Sequence, residues 1–212
     1  MQRLRRRQGG FSYPKLPKMV LLEQPWQLAR DDWGAEDPAR SRSMLEQLLA
    51  YAEKNGIPIF STHSGKAEFP GAERFSKAHG ITPANIRAIS ARGYLLDDII
   101  DPNSFISRLM DGPQSPIIVG GAHARTGTGS GIARVLEQAG IINPVIDGLC
   151  ILEPLRFLIA MKESGLLDSP VFLDPRLIIQ IDGPRMDETR LYEVIGAVPD
   201  TDSFRIRPSR RV

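Results

Sequence analysis

Residues 116–131 read PIIVGGAHARTGTGSG, and the parsing of the whole chain turns on this stretch. Pro116 to Val119 is a short apolar run, the pattern of a strand buried on both faces. Gly120 and Gly121 punctuate it, and a Gly-rich loop, HARTGTGSG, leads into an amphipathic segment from Ile132 to Gln138 that Gly140 ends. A strand, a loop and a helix in that order form half of a βαβ crossover, which lays parallel strands side by side.

The same unit recurs in both directions. Upstream, Met19 to Glu23 (MVLLE) is an apolar strand stopped by Pro25. Ala39 to Lys54 then places Met44, Leu45, Leu48, Leu49 and Ala52 on one helical face, with Asn55 and Gly56 as its cap. Ile57 to Ser61 is the next strand, followed by a short helix near Ala72 to Ala78 capped by Gly80, and by a strand over Ile86 to Ser90. Asp101 and Pro102 start a helix that turns Phe105, Ile106 and Leu109 inward and ends at Gly112 and Pro113. Downstream come a strand over Pro144 to Ile146, a helix over Glu153 to Glu163, a strand over Val171 to Leu173 and a further strand over Leu177 to Ile181. The expected fold is α/β, a three-layer doubly wound sheet of about six mostly parallel strands with helices on both faces. The expected organisation is a basic N-terminal arm (1–17), an α/β domain (18–182) and a C-terminal extension with a basic tail (183–212).

A chain of 212 residues, 42% hydrophobic and 25% charged, holds enough apolar material for one substantial core. The net charge of +2 is unevenly spread. Arg3, Arg5, Arg6, Arg7, Lys15 and Lys18 at one end, and Arg205, Arg207, Arg210 and Arg211 at the other, meet no acid nearby. Setting those ten aside leaves 17 of the 27 cations against 25 acids, so the body is acidic. Nucleic acid is thus expected only through the basic ends. No run is apolar enough for a membrane span. One cysteine, Cys150, excludes an internal disulfide and fits an intracellular, cytoplasmic setting, while the Arg-rich, acid-free start also admits a mitochondrial one.

Ligands of open α/β sheets sit at the carboxyl ends of the strands. That rule selects Glu23 and Gln24, Thr62 and His63, Ser90 and Arg92, His123, Arg125, Thr126 and Thr128, Asp147 and Cys150, and Asp174 and Arg176. Glu23 with His63 or His123 forms a candidate acid–base set. Thr126, Gly127, Thr128, Gly129, Ser130 and Gly131 before a helix offer backbone N–H groups to an anion, and Asp147 stands where a dinucleotide fold binds ribose. Ile132 replaces the third fingerprint glycine and no Lys follows the loop, which excludes a P-loop. Cys150 lies among Leu149, Ile151 and Leu152 and reads as a small core residue. With no close pair of His or Cys ligands, neither a metal nor a cofactor is expected.

The order VLLE, GIPIFSTH, NSFISRL, IIVGG and PVID resembles the isochorismatase-like cysteine hydrolases over roughly Lys18 to Asp174. The resemblance implies a six-stranded parallel sheet and an Asp/Lys/Cys triad. Glu23 stands in the Asp place, Arg92 near the Lys place and Thr126 to Thr128 in the Cys place. Since Arg does not give up its proton, the expected function is a catalytically degenerate member kept as a binding or assembly subunit, with a small polar or anionic ligand and a protein partner or second copy. The alternatives are an active hydrolase of a small polar substrate using Glu23 and a histidine, and a nucleotide-binding or racemase-like protein. The last rests on similarity of IIVGGAH and PVIDGLCILEPLRFLIAMKESGL to aspartate/glutamate and hydantoin racemases, and of the Gly-rich loop to nicotinamide-dinucleotide dehydrogenases.

Overall fold

The structure, a computed structural model, describes residues 11–25, 28, 37–61, 102–111, 114–127, 145–147, 150–183, 185–198 and 203–211. The expected elements over 72–80, 86–90 and 132–140 lie outside these residues, as do Thr62, His63, Arg92, Thr128, Gly129, Ser130 and Gly131. The described elements are β1 (Met19–Glu23), α1 (Pro38–Asn55), β2 (Ile59–Ser61), α2 (Pro102–Met110), β3 (Ile117–Thr126), β4 (Val145–Asp147), α3 (Leu152–Glu163), β5 (Val171–Asp182), β6 (Arg190–Ala197) and β7 (Ser203–Arg211).

β1 and α1 form where the sequence pattern places them. All five residues of β1 are buried, so the strand is covered on both faces. Asp37 caps α1 by accepting the Arg40 N–H, and Gly56 closes it at φ +64°, a left-handed conformation that glycine adopts without penalty. α1 turns Leu45, Leu48, Leu49 and Ala52 onto Val20, Leu22, Ile118 and Leu177. On the other face, α3 is buried along most of its circumference and packs with Phe105 of α2 against Leu21, Val119 and Leu173. Phe105 meets Phe60 at 5.3 Å and Phe157 at 5.8 Å between ring centroids.

The expected three-layer, mostly parallel sheet is corrected by the strand pairing. β1 runs parallel to β2 and β3, and β3 parallel to β5, but β4, β6 and β7 pair antiparallel with their neighbours. The order β2-β1-β3-β4-β7-β6-β5 returns from β5 to β3, which closes β3, β4, β7, β6 and β5 into a five-stranded mixed barrel.

Three local causes produce the difference. First, Gly120 and Gly121 do not end the third strand. A Cβ on Gly121, at φ +126°, would stand 2.0 Å from the Glu23 carbonyl oxygen, and one on Gly120 would stand 2.6 Å from Leu177 Cβ. These glycines let β3 pass tightly between β1 and β5 and continue to Thr126. Past Gly121, where β1 ends, β4 takes over the vacated edge of β3 at Arg125 and Thr126.

Second, Val171 to Asp182 is one strand. Val119 faces Leu173 and Gly121 faces Ile178, so Asp174 to Leu177 bulge opposite Gly120. Pro175, lacking an N–H, sits within that bulge. Third, residues beyond 182 supply two barrel strands. In β7, buried Phe204 and Ile206 alternate with Arg205 and Arg207, the two-residue period of a strand with one face on the core. Arg207 pairs with Glu193 of β6.

Residues 11–18 run along the α1 face. Arg176 donates from Nε and Nη2 to the buried Asp174 carboxylate at 2.9 and 2.8 Å, and its guanidinium lies 4.1 Å over the Phe11 ring. Phe11, Tyr13 and Tyr51 pack with ring centroids 5.3 to 6.0 Å apart. Burial, and secondarily the Asp174 charge, push the Tyr13 phenol well above its ordinary 10.0. As pH rises past 10 the unfolded chain releases this proton while the folded chain keeps it, so stability falls with rising pH. Lys18 is lowered, chiefly by burial, and acts in the opposite sense. Tyr13→Phe is therefore expected to make urea midpoints between pH 9 and 11 decline less steeply than in the wild type, and an equal decline would refute this account.

Candidate functional site

β1 ends in Glu23, which is fully buried. Along a strand side chains alternate, and Met19 and Leu21 belong to the core under α3, so Glu23 continues onto that same face. Its backbone is held against Gly121 of β3 at the close approach described above. Gln24 follows at φ +45°, an uncommon conformation for a side-chain-bearing residue, and turns the chain sharply off the sheet.

Cys150, half-buried, lies two residues before α3 and comes to the same corner. Its thiol is raised from the ordinary 9.0, first by burial and then by the charge of Glu23, and a hydrogen bond with the Gln24 side chain offsets part of this. A carboxylate, an amide and a protonated thiol thus converge at the carboxyl end of β1. The thiolate is the nucleophilic form, so this environment suppresses covalent thiol chemistry at neutral pH.

The remaining sequence-selected residues are distributed differently. His123 lies within β3, two residues beyond the partner of Glu23. Thr126 is a buried strand residue whose Oγ1 accepts from Gln180 Nε2 at 2.9 Å. Gly127 donates its N–H to the Val145 carbonyl at 2.7 Å, and a Cβ there would stand 2.0 Å from Val145 Cγ2. Thr126 and Gly127 therefore sit in the β3–β4 seam. Asp147 pairs with Arg125 on one side and Ser203 on the other, in a strand antiparallel to β3. A dinucleotide fold needs a parallel strand at that place, and β4 does not supply one.

A second group of polar residues occupies the opposite face. Arg40 and Ser41 of α1, Arg176 and Gln180 of β5, and Arg185 of the following turn line a cleft of about 120 Å³ together with Asp37 and Glu188. Asp174 and Arg176 stand among the strand-end residues selected from the sequence. Arg40, Arg185 and Gln180 carry no motif, and only the packing of α1 on β5 brings them together.

Among the described residues no group of three or more His, Cys, Asp or Glu is placed to hold a metal, and no helix is long and apolar enough to cross a membrane. The closed barrel replaces the six-stranded parallel sheet that the hydrolase resemblance implied. No family model, curated protein or solved structure matches this chain.

Proposed function

We propose that the chain is a binding subunit for a small polar molecule held at the Glu23–Gln24–Cys150 corner, and that it does not act as a thiol nucleophile. The observation that carries this reading is the fully buried Glu23 beside a thiol raised from its ordinary value. A buried carboxylate favours a ligand that presents N–H or O–H donors, since charge-assisted hydrogen bonds offset its desolvation. The carboxyl ends of parallel strands are where such ligands enter.

The thiol reports on the site. Iodoacetamide at pH 8 is expected to alkylate Cys150 more slowly than an unstructured cysteine peptide. Glu23→Gln, by removing the nearby negative charge, is expected to raise the rate several-fold, and a bound ligand is expected to depress it. Alkylation as fast as the peptide, together with turnover of amide or vinyl-ether substrates lost in Cys150→Ser, would replace the binding reading with a catalytic one. The pairing of a proton acceptor with a protonated thiol favours one second reading, acid–base catalysis with Glu23 as base. Exchange of solvent deuterium into a ligand, lost in Glu23→Gln, would select it.

A further inference from the structure

We infer that the cleft between α1 and β5 is a binding site for a tetrahedral oxyanion of phosphate size, independent of the Glu23 corner and on the opposite face of the sheet. Its volume of about 120 Å³ is below the roughly 300 Å³ at which pockets begin to enclose a whole organic ligand. It is the size for an inorganic oxyanion, or for the terminal phosphate or sulfate of a larger molecule.

Guanidinium donors favour an anion. Three guanidiniums, Arg40, Arg176 and Arg185, line the cleft with two carboxylates, Asp37 and Glu188, and the buried Asp174 behind it holds Arg176 in place. Asp37 accepts from the Arg40 N–H as the cap of α1, so it is held at the helix terminus. Ser41 supplies a hydroxyl of the kind that binds phosphate oxygens.

The donors are set in advance. Gln180 Nε2 donates to Thr126 Oγ1 at 2.9 Å and to the Gly183 carbonyl at 3.2 Å, and its Oε1 accepts from Met186 N–H at 3.1 Å. This buried network fixes the turn that carries Arg185, whose Nη1 donates to the Gln180 carbonyl at 2.6 Å. Arg176 is immobilised between Asp174 and the Phe11 ring. Such preorganisation lowers the ordering cost of binding. Arg40 is the movable member: its partner Glu188 is exposed, so the pair is weak and an incoming anion can replace the carboxylate.

Titration of the full-length chain with sodium phosphate, sodium sulfate and sodium acetate, followed by calorimetry at low salt, tests the inference. Phosphate and sulfate are expected to bind more tightly than acetate, with affinity falling as salt rises. Arg185→Ala is expected to weaken phosphate binding tenfold or more at an unchanged melting temperature. Glu188→Gln, which releases Arg40 from its competitor, is expected to tighten it several-fold, a gain that misfolding cannot mimic. Absence of phosphate binding at millimolar concentration, acetate bound as tightly as phosphate, or Arg185→Ala indistinguishable from the wild type would overturn it. Iodoacetamide alkylation of Cys150 should not respond to phosphate, so failure here and failure of the Glu23 reading are separately visible.

Discussion

Gly121→Ala is expected to cost about 4 kcal/mol or more, at the far end of single-substitution effects. Two penalties add. At φ +126° an alanine carries backbone strain of roughly 1–3 kcal/mol. Its Cβ would also stand 2.0 Å from the carbonyl oxygen and 2.5 Å from the nitrogen of Glu23, so β1 and β3 must part at the candidate site. Neither contact is a flexible side-chain tip that can move aside. Gly56→Ala is the control: φ is +64° but nothing lies within 4 Å, and the cost should be only about 1–2 kcal/mol. Urea unfolding of the two variants checks the difference, and a Gly121→Ala midpoint equal to that of Gly56→Ala would refute the close-approach argument.

Arg176→Met is expected to cost about 3–5 kcal/mol, because it leaves the buried Asp174 carboxylate without its bidentate partner. It also removes the cation stacked on Phe11, which loosens residues 11–18 from the α1 face. Replacing both members, as Asp174→Leu with Arg176→Met, removes the stranded charge and should be much less harmful than the sum of the single changes. Chemical denaturation of the four proteins in a double-mutant cycle measures this. Additive costs would mean the pair is not coupled in the folded state.

These predictions depend on features that the sequence shows unevenly. MVLLE and the leucine spacing of α1 are legible because their signal is local and the apolar residues themselves set the period. Gly120 and Gly121 are visible as glycines, but their meaning is not: a strand terminator and a close-packing site look alike until Leu177 and Glu23 are known to flank them. The arginines of β7 read as a charged tail, although Phe204 and Ile206 between them mark a strand, because their charge obscured a two-residue period.

Likewise Glu23 was open to selection as a strand-end acid, whereas Cys150 sits among apolar neighbours and gives no local sign of it. The charge that acts on its thiol belongs to a strand near the other end of the chain. The arginine cleft is hidden for the same reason, since its members come from α1, β5 and the turn after β5.

β3 and β5 each belong to two structures at once. The first half of β3 lies beside β1 and its second half beside β4, while β5 meets β6 through Phe172 and Leu173 and follows β3 on to Asp182. The chain therefore offers no seam at which one part can be cut from the other: a fragment ending at Asp182 would lose β6 and β7 and expose an edge of β5 and of β4. Melting should accordingly proceed as a single cooperative step, and the slowest-exchanging amides should run the whole length of β3, across Gly121, with no break between the Glu23 corner and the closed ring.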